Sequence, residues 1–342
     1  MKKAHGIGLL SGGLDSALAA KVVMDAGADV TCLHFFTGFC VTGHNSRIGR
    51  TDRPIANHAL NVAGEAGIPV ELVDISDDYL PMVMKPKHGY GANMNPCIDC
   101  RVFMIDRAKR HMEDVGADFV FTGEVIGQRP MSQMRPTIDM VEKQTGLQGR
   151  LLRPLSAQLM PPTVVEQEGR VDREKLLALN GRSRKPQIEL AKKYGVNEFM
   201  QPAGGCCFLT DKAYSRKLRD LFEHMGDAQL DMDSVYLLGV GRHFRLSPTV
   251  KIIVGRDENE NNFLDFYARK NASAQAVDHK GPIVLIMGEM DETHVDTVAG
   301  IVARYCQGRQ ERSVRVELVS NGDSRTVNAA PTADEFIEAV RL

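Results

Sequence analysis

Strand and helix patterns alternate through the first 125 residues of this chain. Short apolar runs predict strands, and segments with a helical repeat of apolar residues lie between them. The predicted strands are 6–10, 29–36, 69–75 and 118–124, and the predicted helices are 15–27, 54–67 and 98–116. Strands joined through helices pair in parallel, because the crossover helix returns the chain to the same edge of the sheet. We therefore predict an α/β fold with a doubly wound, mostly parallel sheet covered by helices on both faces.

A second pattern follows this region. Proline- and glycine-rich loops interrupt residues 125–225 around predicted helices at 185–195 and 211–226. Further strands are predicted at 234–246, 249–256, 282–289 and 313–320, and further helices at 258–269, 292–305 and 332–341. We predict two domains, a larger one over 1–228 and a smaller α/β domain over 229–342.

Composition narrows the class of protein. The net charge of −2 decides nothing about a nucleic-acid partner, so local charge has to be examined instead. No apolar run reaches the roughly 20 residues of a membrane span, and the N-terminus lacks a signal-peptide pattern. We expect a cytoplasmic protein with no membrane partner. Seven cysteines in such a chain indicate metal binding or catalysis rather than a disulfide framework.

The loop after the first predicted strand reads Ser11-Gly12-Gly13-Leu14-Asp15-Ser16. It has neither the lysine of a Walker A loop nor the spacing of a dinucleotide fingerprint. Its glycines let successive N–H groups point at an anion, and the positive end of the next helix adds to that field. The serines add hydroxyl donors, and Asp15 would repel phosphate unless Mg²⁺ lies between them. The alternative is a plain glycine turn with Asp15 as N-cap, but the whole string favours a nucleotide phosphate site.

Cysteines form the second chemical pattern. Cys97 and Cys100 make a CxxC at the start of a predicted helix, and Cys206 and Cys207 are adjacent about a hundred residues later. The positive end of a helix lowers the pKa of a thiol and favours the thiolate. The CxxC and Cys206 or Cys207 would supply three ligands to a [4Fe–4S] cluster, leaving one iron open for sulfide. The alternatives are a persulfide resolved by a second cysteine, and structural zinc or simply packed thiols.

The string "SGGLDS" matches the pyrophosphate loop of the PP-loop, or adenine nucleotide alpha-hydrolase-like, superfamily, whose members cleave ATP between the α and β phosphates and adenylate an acceptor. With "NPCIDC", "TGEVIGQRPMSQ", "LLRPL" and "GGCCFL", the chain resembles tRNA thiouridine synthetases over roughly residues 5–225, most closely the 4-thiouridine synthetases. That resemblance implies ATP and Mg²⁺ as cofactors and tRNA as substrate. It also implies ATP- or substrate-site roles for Gly123, Glu124, Gln128 and Gln133.

The C-terminal part resembles the RNA-binding domain of the NFACT proteins, notably in "GRHFRL" and "VGR…EN". Five basic residues gather there and would face a phosphate backbone together: Arg242, His243, Arg245, Lys251 and Arg256. The alternative is a sheet edge protected by charge. We accordingly predict PP-loop ATP binding and thiolation for residues 1–228, and RNA binding for 229–342.

Other basic and thiol groups receive a plainer interpretation. Arg101 and Arg184 are interpreted as parts of solvated helix faces, and Cys32 and Cys306 as core residues. The role of Cys40 is left open. His34 and His44 are interpreted as bonded locally rather than as nucleotide ligands.

Together these patterns predict an ATP-dependent tRNA sulfurtransferase. It would adenylate a uridine carbonyl oxygen and replace it with sulfur held at Cys97, Cys100 and Cys206 or Cys207, with Asp15 serving the first step. No rhodanese-like segment is evident, so the expected sulfur donor is sulfide or a cysteine desulfurase; a homodimer is left open. The alternatives are an enzyme that thiolates or amidates a small molecule, and a catalytically silent nucleotide- and RNA-binding protein.

Overall fold

A computed structural model describes residues 2–41, 44, 47–49, 58–130, 132–196, 207–224, 230–320 and 322–342. The chain forms two compact units. The first comprises Met1–Thr42 and Ile55–Thr210, and the second comprises Gly43–Pro54 and Asp211–Leu342. The division into functional domains after residue 228 stays a prediction.

The first unit is built on a parallel sheet, as predicted. Its strands within the described residues are β1 His5–Leu9, β2 Asp29–Phe36, β3 Val70–Asp74, β4 Phe119–Phe121 and β5 Leu151–Leu152, in the order β3-β2-β1-β4-β5. All neighbouring pairs are parallel. The strand order reverses at β1, and such a switch point opens a crevice beyond the carboxyl ends of the strands. The loop after β1 lies at that crevice.

Glycines in β1 explain its pairing with β4. Gly6 lies beside Phe119 and Gly8 beside Phe121 in the parallel register. A Cβ atom at Gly6 would lie 2.6 Å from the Phe119 ring, and one at Gly8 would lie 2.3 Å from the Phe121 ring. Both phenylalanine rings therefore occupy space that any larger residue in β1 would fill, and both rings are fully buried.

Seven described helices belong to this unit, of which the first, second, fourth and seventh lie where the sequence predicts helices. They are α1 Leu14–Asp25, α2 His58–Ala66, α3 Ser76–Met84, α4 Cys97–Asp114, α5 Arg135–Thr145, α6 Val164–Gln167 and α7 Lys185–Tyr194. The predicted helix residues 54–57 lie outside the described residues. Helix α1 buries most of its side chains, since it packs between the sheet and neighbouring helices. Among the described helices, none combines the length and the hydropathy of a membrane span.

The second unit carries an antiparallel sheet. Its described strands are β6 Arg242–Arg245, β7 Lys251–Val254, β8 Ala272–Ala276, β9 Val284–Met287, β10 Val314–Ser320 and β11 Asp323–Ala329, in the order β11-β10-β8-β9-β7-β6. Its described helices are α8 Lys212–His224, α9 Met232–Leu237, α10 Glu258–Ala268, α11 Glu292–Tyr305 and α12 Asp334–Val340. Two strands, β8 and β11, escaped sequence-based prediction because alanine, serine and charged residues dominate them.

One predicted strand is wrong. Residues 234–246 divide into the end of α9, a glycine turn and β6. The Asp231 side chain accepts a hydrogen bond from the Ser234 amide at 2.8 Å and so caps the helix. Gly241 then takes a positive φ of 71° and redirects the chain into β6. The apolar run alone could not separate a short buried helix from a strand.

Candidate functional site

The proposed phosphate loop and the CxxC both lie at the carboxyl edge of the parallel sheet. The loop follows β1 directly. Helix α4 leads into β4 and runs against it, so the N-terminus of α4, with Cys97 and Cys100, lies at the same edge as the end of β4. An ion pair verifies this placement, because Arg101 Nε lies 3.2 Å from the carboxylate of Glu124, just beyond β4.

The loop at 11–16 leaves the start of α1 open. Gly12 has a positive φ of 77°, and Gly13 is the N-cap, with no side chain capping the helix. Asp15 therefore lies in the first turn and is not the N-cap that the plain-turn alternative requires. The Ser16 hydroxyl donates to the Gly13 carbonyl at 2.8 Å and lies 3.3 Å from the Ser11 hydroxyl. A helix start without a side-chain cap, held by serines, is suited to bind an anion.

Asp15 is held by neighbouring side chains on one carboxylate oxygen. Gln128 donates to its Oδ2 at 2.7 Å, and Gln187 in turn donates to the Gln128 carbonyl oxygen at 3.0 Å. The other oxygen, Oδ1, is buried and accepts no hydrogen bond among the described residues. A lone carboxylate oxygen of this kind fits Mg²⁺, which keeps most of its water ligands and binds through one or two carboxylates.

Arg184 is a site residue that the sequence-based interpretation missed. Its guanidinium lies 3.9 Å from Asp15 Oδ1, and its side chain is only 22% exposed, so it does not belong to a solvated helix face. Its Nε is buried with no hydrogen-bond partner among the described residues. An unpaired N–H beside an anion loop is a ready donor to a phosphate oxygen. Nothing local in the sequence marks this arginine, because 169 residues separate it from Asp15.

Gly123 follows β4 and packs directly against the start of α1. A Cβ atom at this position would lie 2.6 Å from the Asp15 carbonyl and from the Ser16 amide. The glycine of the "TGE" segment thus fixes the loop position through backbone contact. This contact does not test the predicted role of Gly123 in holding ATP, which stays a prediction.

Glu124 and its partners form a buried charge network beneath the site. Its carboxylate accepts hydrogen bonds from the Thr122 hydroxyl at 3.0 Å and Arg153 Nε at 3.2 Å, in addition to its ion pair with Arg101. Arg153 is fully buried and also pairs with Glu142 at 2.9 Å. Burial raises the pKa of Glu124, but Arg101, Arg153 and Thr122 outweigh it, so the pKa lies below its ordinary value. Arg101 is therefore not a solvated residue either.

We expect Glu124→Gln to destabilise the protein by about 3–5 kcal/mol near pH 7, because it leaves the buried Arg153 undercompensated. Because the pKa of Glu124 is depressed, its stabilisation is present above the pKa of the unfolded chain and is lost as the pH falls through the folded value. Urea unfolding between about pH 3 and pH 7, a range that extends below the ordinary carboxyl pKa, should show a steeper loss of stability on acidification in the parent than in the variant.

The control for this prediction is Asp106→Asn, which removes a surface ion pair with Arg110 on α4. We expect that change to stay within about 1 kcal/mol. Equal unfolding free energies for the two variants would contradict a stabilising role for the network.

The CxxC occupies the first turn of α4. The Cys97 thiol is exposed and accepts a hydrogen bond from the side-chain Nδ2 of Asn95 at 2.9 Å. Between the two cysteines, buried Asp99 accepts bonds from the Lys87 and His88 amides at 3.1 and 2.9 Å. These bonds tie the preceding turn to the helix start, where the positive helix end favours thiolates.

A second cysteine segment packs beside the first. The Met94 amide donates to the Leu209 carbonyl at 3.2 Å, and the Asn93 side chain donates to the Thr210 carbonyl at 2.6 Å. On its other side this segment forms an antiparallel bridge in which Cys207 lies opposite Cys40. Cys207 thus lies between the loop that carries Cys40 and the turn that carries the CxxC. Cys40, whose role the sequence leaves open, thus lies directly opposite another cysteine.

The cluster prediction concerns three ligands, of which Cys206 lies outside the described residues. Among the residues that the structure does describe, no three His, Cys, Asp or Glu side chains form a metal-binding group. Cys97 and Cys100 offer two thiols on one helical turn, a spacing that suits two corners of a cluster. Cys32 is buried in the core, as predicted, and burial raises its pKa to about 12.

His34 has a nearby hydrogen-bond partner, as predicted. His34 Nδ1 donates to the Leu10 carbonyl at 2.8 Å, and burial lowers the pKa of His34, which favours a neutral ring. His44 belongs to the second unit, where it packs against Gly239.

Three of the five basic residues predicted to contact RNA point inward in the second unit. Arg245 and Lys251 bind the carboxylate of Asp220, at 2.7 and 3.1 Å. His243 is 1% exposed and donates to the Val240 carbonyl; burial and two nearby lysines hold its pKa well below the ordinary value. These three residues stabilise the unit and do not form a phosphate-facing patch.

Arg242 and Arg256, the other two predicted RNA contacts, line an open cleft of about 820 Å³ in the same unit. Its basic lining residues are Arg242, Arg256, Lys280, Arg304 and Arg309. Arg242 lies over the Tyr305 ring, with 5.0 Å between guanidinium carbon and ring centroid. Lys280 and Arg309 are exposed and have no ion pair among the described residues. The cleft thus places basic side chains beside an aromatic ring, a combination typical of single-stranded nucleic-acid sites; Arg256 and Arg304 are also paired with Glu260 and Asp334.

Comparison with known proteins gives matches to both units. Residues 5–161 match the family model described as the tRNA methyl transferase HUP domain, and residues 241–340 match the NFACT protein RNA binding domain. The tRNA-specific 2-thiouridylase MnmA of Syntrophotalea carbinolica is 31% identical over 134 residues, which cover 36% of this chain and 35% of that protein. The MnmA of Frankia alni is 29% identical over 159 residues, 42% of each chain.

A solved 4-thiouridine synthetase–RNA complex with bound ATP covers 60% of this chain and 44% of its own, at 22% identity and a TM-score of 0.39. The chain spans about a third of the length of the curated relatives it matches first. The resemblance to PP-loop tRNA thiouridine synthetases, with an NFACT-type RNA-binding domain, is confirmed. These curated relatives are 2-thiouridylases, so the closer likeness to 4-thiouridine synthetases that we predicted is not confirmed.

Proposed function

We propose that this chain is an ATP-dependent tRNA sulfurtransferase that makes thiouridine. One observation carries the proposal: a single unit holds an open phosphate-type loop and three cysteine-bearing segments at the carboxyl edge of its sheet. The loop supplies activation and the cysteines supply sulfur. The basic cleft of the second unit, and its match to an RNA-binding domain, support RNA as the substrate.

In the first step the loop binds ATP. The amides at the start of α1 and the Ser11 and Ser16 hydroxyls hold the phosphates, and Arg184 donates to a phosphate oxygen. When bound, Mg²⁺ would neutralise pyrophosphate charge from a position on Asp15 Oδ1. A uridine carbonyl oxygen attacks the α-phosphorus, pyrophosphate leaves, and the oxygen becomes part of a good leaving group. The target base has to be unstacked to reach the loop.

In the second step a cysteine-bound sulfur attacks the activated carbon, and AMP departs with the original oxygen. The described residues favour a persulfide at Cys207, because the residue directly opposite it is another thiol, Cys40. The [4Fe–4S] alternative would use Cys97, Cys100 and Cys206 and would supply sulfide on an open iron. Iron and sulfide quantification after anaerobic purification separates the routes: an iron-free protein that thiolates tRNA excludes the cluster.

The function is tested with unmodified tRNA transcript, ATP, Mg²⁺ and a cysteine desulfurase with cysteine as sulfur source. We expect tRNA-dependent pyrophosphate release and a thiouridine nucleoside in the digested RNA. Chromatography against 2- and 4-thiouridine standards assigns the ring position. Pyrophosphate release that needs a small molecule instead of RNA would favour the small-molecule enzyme, and release under no condition would favour the silent binding protein.

We expect the double variant Lys280→Gln/Arg309→Gln to bind tRNA more weakly at every salt concentration tested. Each lost phosphate contact should reduce the slope of log affinity against log salt by about 1. Fluorescence anisotropy with labelled tRNA between 50 and 200 mM KCl, roughly the range over which such contacts are screened, measures both quantities.

The matched control is Arg269→Gln/Lys270→Gln, which removes the same charge from exposed positions outside the cleft. This control should leave the slope within error of the parent. An equal loss in both double variants would show that general charge, and not the cleft, attracts the RNA.

A further inference from the structure

Hydrogen bonds fix part of the lining of the basic cleft in the second unit. The Gly255 amide donates to the Ile283 carbonyl at 3.1 Å, and the Ile283 amide donates to Asn261 Oδ1 at 3.0 Å. A Cβ atom at Gly255 would overlap Asn261 Oδ1, so glycine at this position leaves room for that bond. The Asn261 amide is thereby oriented, with its oxygen bound and its Nδ2 group remaining as a donor for a ligand.

Arg242 and Tyr305 form a cation–π pair in the same cleft. Residues 242 and 244 extend from one face of β6, and the Tyr305 ring contacts both of them. Its centroid lies 5.0 Å from the Arg242 guanidinium carbon and 6.0 Å from the centroid of the Phe244 ring. In the described part of the chain, Arg242 has no hydrogen-bond or ion-pair partner. A guanidinium held over a ring offers its other face to a further planar group, such as a nucleic-acid base.

The charged lining residues are unevenly distributed between segments. Lys280 and Arg309 are exposed, with no ion pair among the described residues. The Gln307 amide donates to the Lys280 carbonyl at 2.9 Å, so their two segments lie side by side. The acidic lining residues, Asp257 and Glu258, lie instead at the start of α10. Phosphate is attracted to the first pair and repelled by the second, so the cleft orients a nucleotide with its phosphate toward Lys280 and Arg309.

The cationic platform and the size of the cleft favour an unpaired nucleotide over a duplex. Within a duplex each base is covered by its neighbours, and proteins contact A-form helices mainly through shape, phosphates and 2′-hydroxyls. Unpaired bases, by contrast, stack on aromatic rings and guanidinium planes. The cleft volume of about 820 Å³ lies within the range of small-ligand sites, roughly 300–1,000 Å³, and therefore suits an extruded nucleotide rather than a helical arm.

We propose that this cleft binds an unpaired nucleotide of the tRNA; that the bound RNA is also the substrate rests on the proposed function. The base stacks on Arg242, and the phosphate contacts Lys280 and Arg309. Asn261 Nδ2 donates to a base acceptor, which is a carbonyl oxygen or a ring nitrogen. The second unit therefore recognises a loop or an end of the RNA, and paired segments contribute only through their phosphates.

Two RNA hairpins test this assignment on the full chain. One carries a single-stranded tail, and in the other the same tail is paired with a complementary strand. Pairing adds phosphates, so a surface that senses only charge prefers the paired form. We expect fluorescence anisotropy to give at least about tenfold tighter binding of the hairpin with the single-stranded tail, because stacking of one base contributes a factor on the order of ten.

Arg242→Lys keeps the charge and removes the planar group. We expect this variant to lose about tenfold in its preference for the single-stranded tail. Its affinity for the fully paired hairpin should stay within about twofold of the parent, since the phosphate contacts are retained. Arg315→Lys is the matched control, because Arg315 is an exposed strand residue of the same sheet outside the cleft, and it should retain the preference. Tyr305→Phe, which keeps the ring beside Arg242, should retain it too.

Three results would overturn the inference. They are equal affinity of the parent for both hairpins, an undiminished preference in Arg242→Lys, and displacement of the tailed hairpin by AMP or UMP at concentrations near the Kd of the RNA. The second would assign the unpaired nucleotide to another part of the chain, and the third would make the cleft a site for free nucleotides. A parent protein that prefers the single-stranded tail but forms no thiouridine overturns the proposed function and leaves the nucleotide site in place.

Discussion

Cys207→Ser should abolish thiouridine formation, with a loss of at least about 10³-fold, because the hydroxyl cannot carry sulfane sulfur. The activating half of the site is untouched by this change. We therefore expect tRNA-dependent pyrophosphate release to stay within about threefold of the parent. Thiouridine in digested tRNA and pyrophosphate in the same reaction measure the two steps separately.

Cys206→Ser is the closest control, since it changes the neighbouring thiol of the same segment. If Cys207 carries the sulfur, the Cys206 variant retains thiolation. The reverse result, an inactive Cys206 variant and an active Cys207 variant, would assign the sulfur to Cys206 and favour the three-ligand cluster. Cys306→Ser, in the core of the second unit, controls for loss of a thiol as such.

Gly123→Ala should impair activation itself. The new methyl group would lie 2.6 Å from backbone atoms of Asp15 and Ser16, and backbone cannot rotate away as a side chain can. The start of α1 must move, and a displacement of about 1 Å at a reacting group costs on the order of 100-fold in rate. We expect that loss in pyrophosphate release, together with a stability loss of about 1–3 kcal/mol from overpacking.

Gly64→Ala provides the matched control. Gly64 lies within helix α2, and a Cβ atom there would meet nothing within 4 Å. Alanine at a helix interior should be neutral or stabilise by about 0.5–1 kcal/mol, with activity unchanged. If Gly123→Ala released pyrophosphate at the rate of Gly64→Ala, the contact between Gly123 and the loop would have no role in activation.

The sequence predicts some parts of the site and not others. It locates the loop at 11–16 because glycines, serines and a helix start must be contiguous to shape an anion site. It also identifies Gly123 and Glu124, but only through resemblance, and it does not predict that Glu124 binds Arg101 and Arg153. It interprets Arg184 as solvated, although that residue lies beside Asp15.

The lining of the cleft in the second unit also depends on residues that are distant in sequence. A run of basic residues along one strand and turn suggests a common face, but strand residues alternate between faces and their charges find separate partners. Arg245 and Lys251 meet Asp220 of a distant helix, while Lys280 and Arg309 complete the cleft from other segments. Local clustering of cations therefore identified only two of the basic lining residues, Arg242 and Arg256.

The α/β class, four of the five described strands of the parallel sheet and the phosphate-type loop could be predicted from sequence, because each depends on residues adjacent along the chain. Only the tertiary structure decided which distant residues meet there. Cys40 and Cys207 are 167 positions apart, and Arg184 and Asp15 are 169. Their contacts follow from strand order and register, which set where each segment ends at the carboxyl edge, and no local pattern encodes that order.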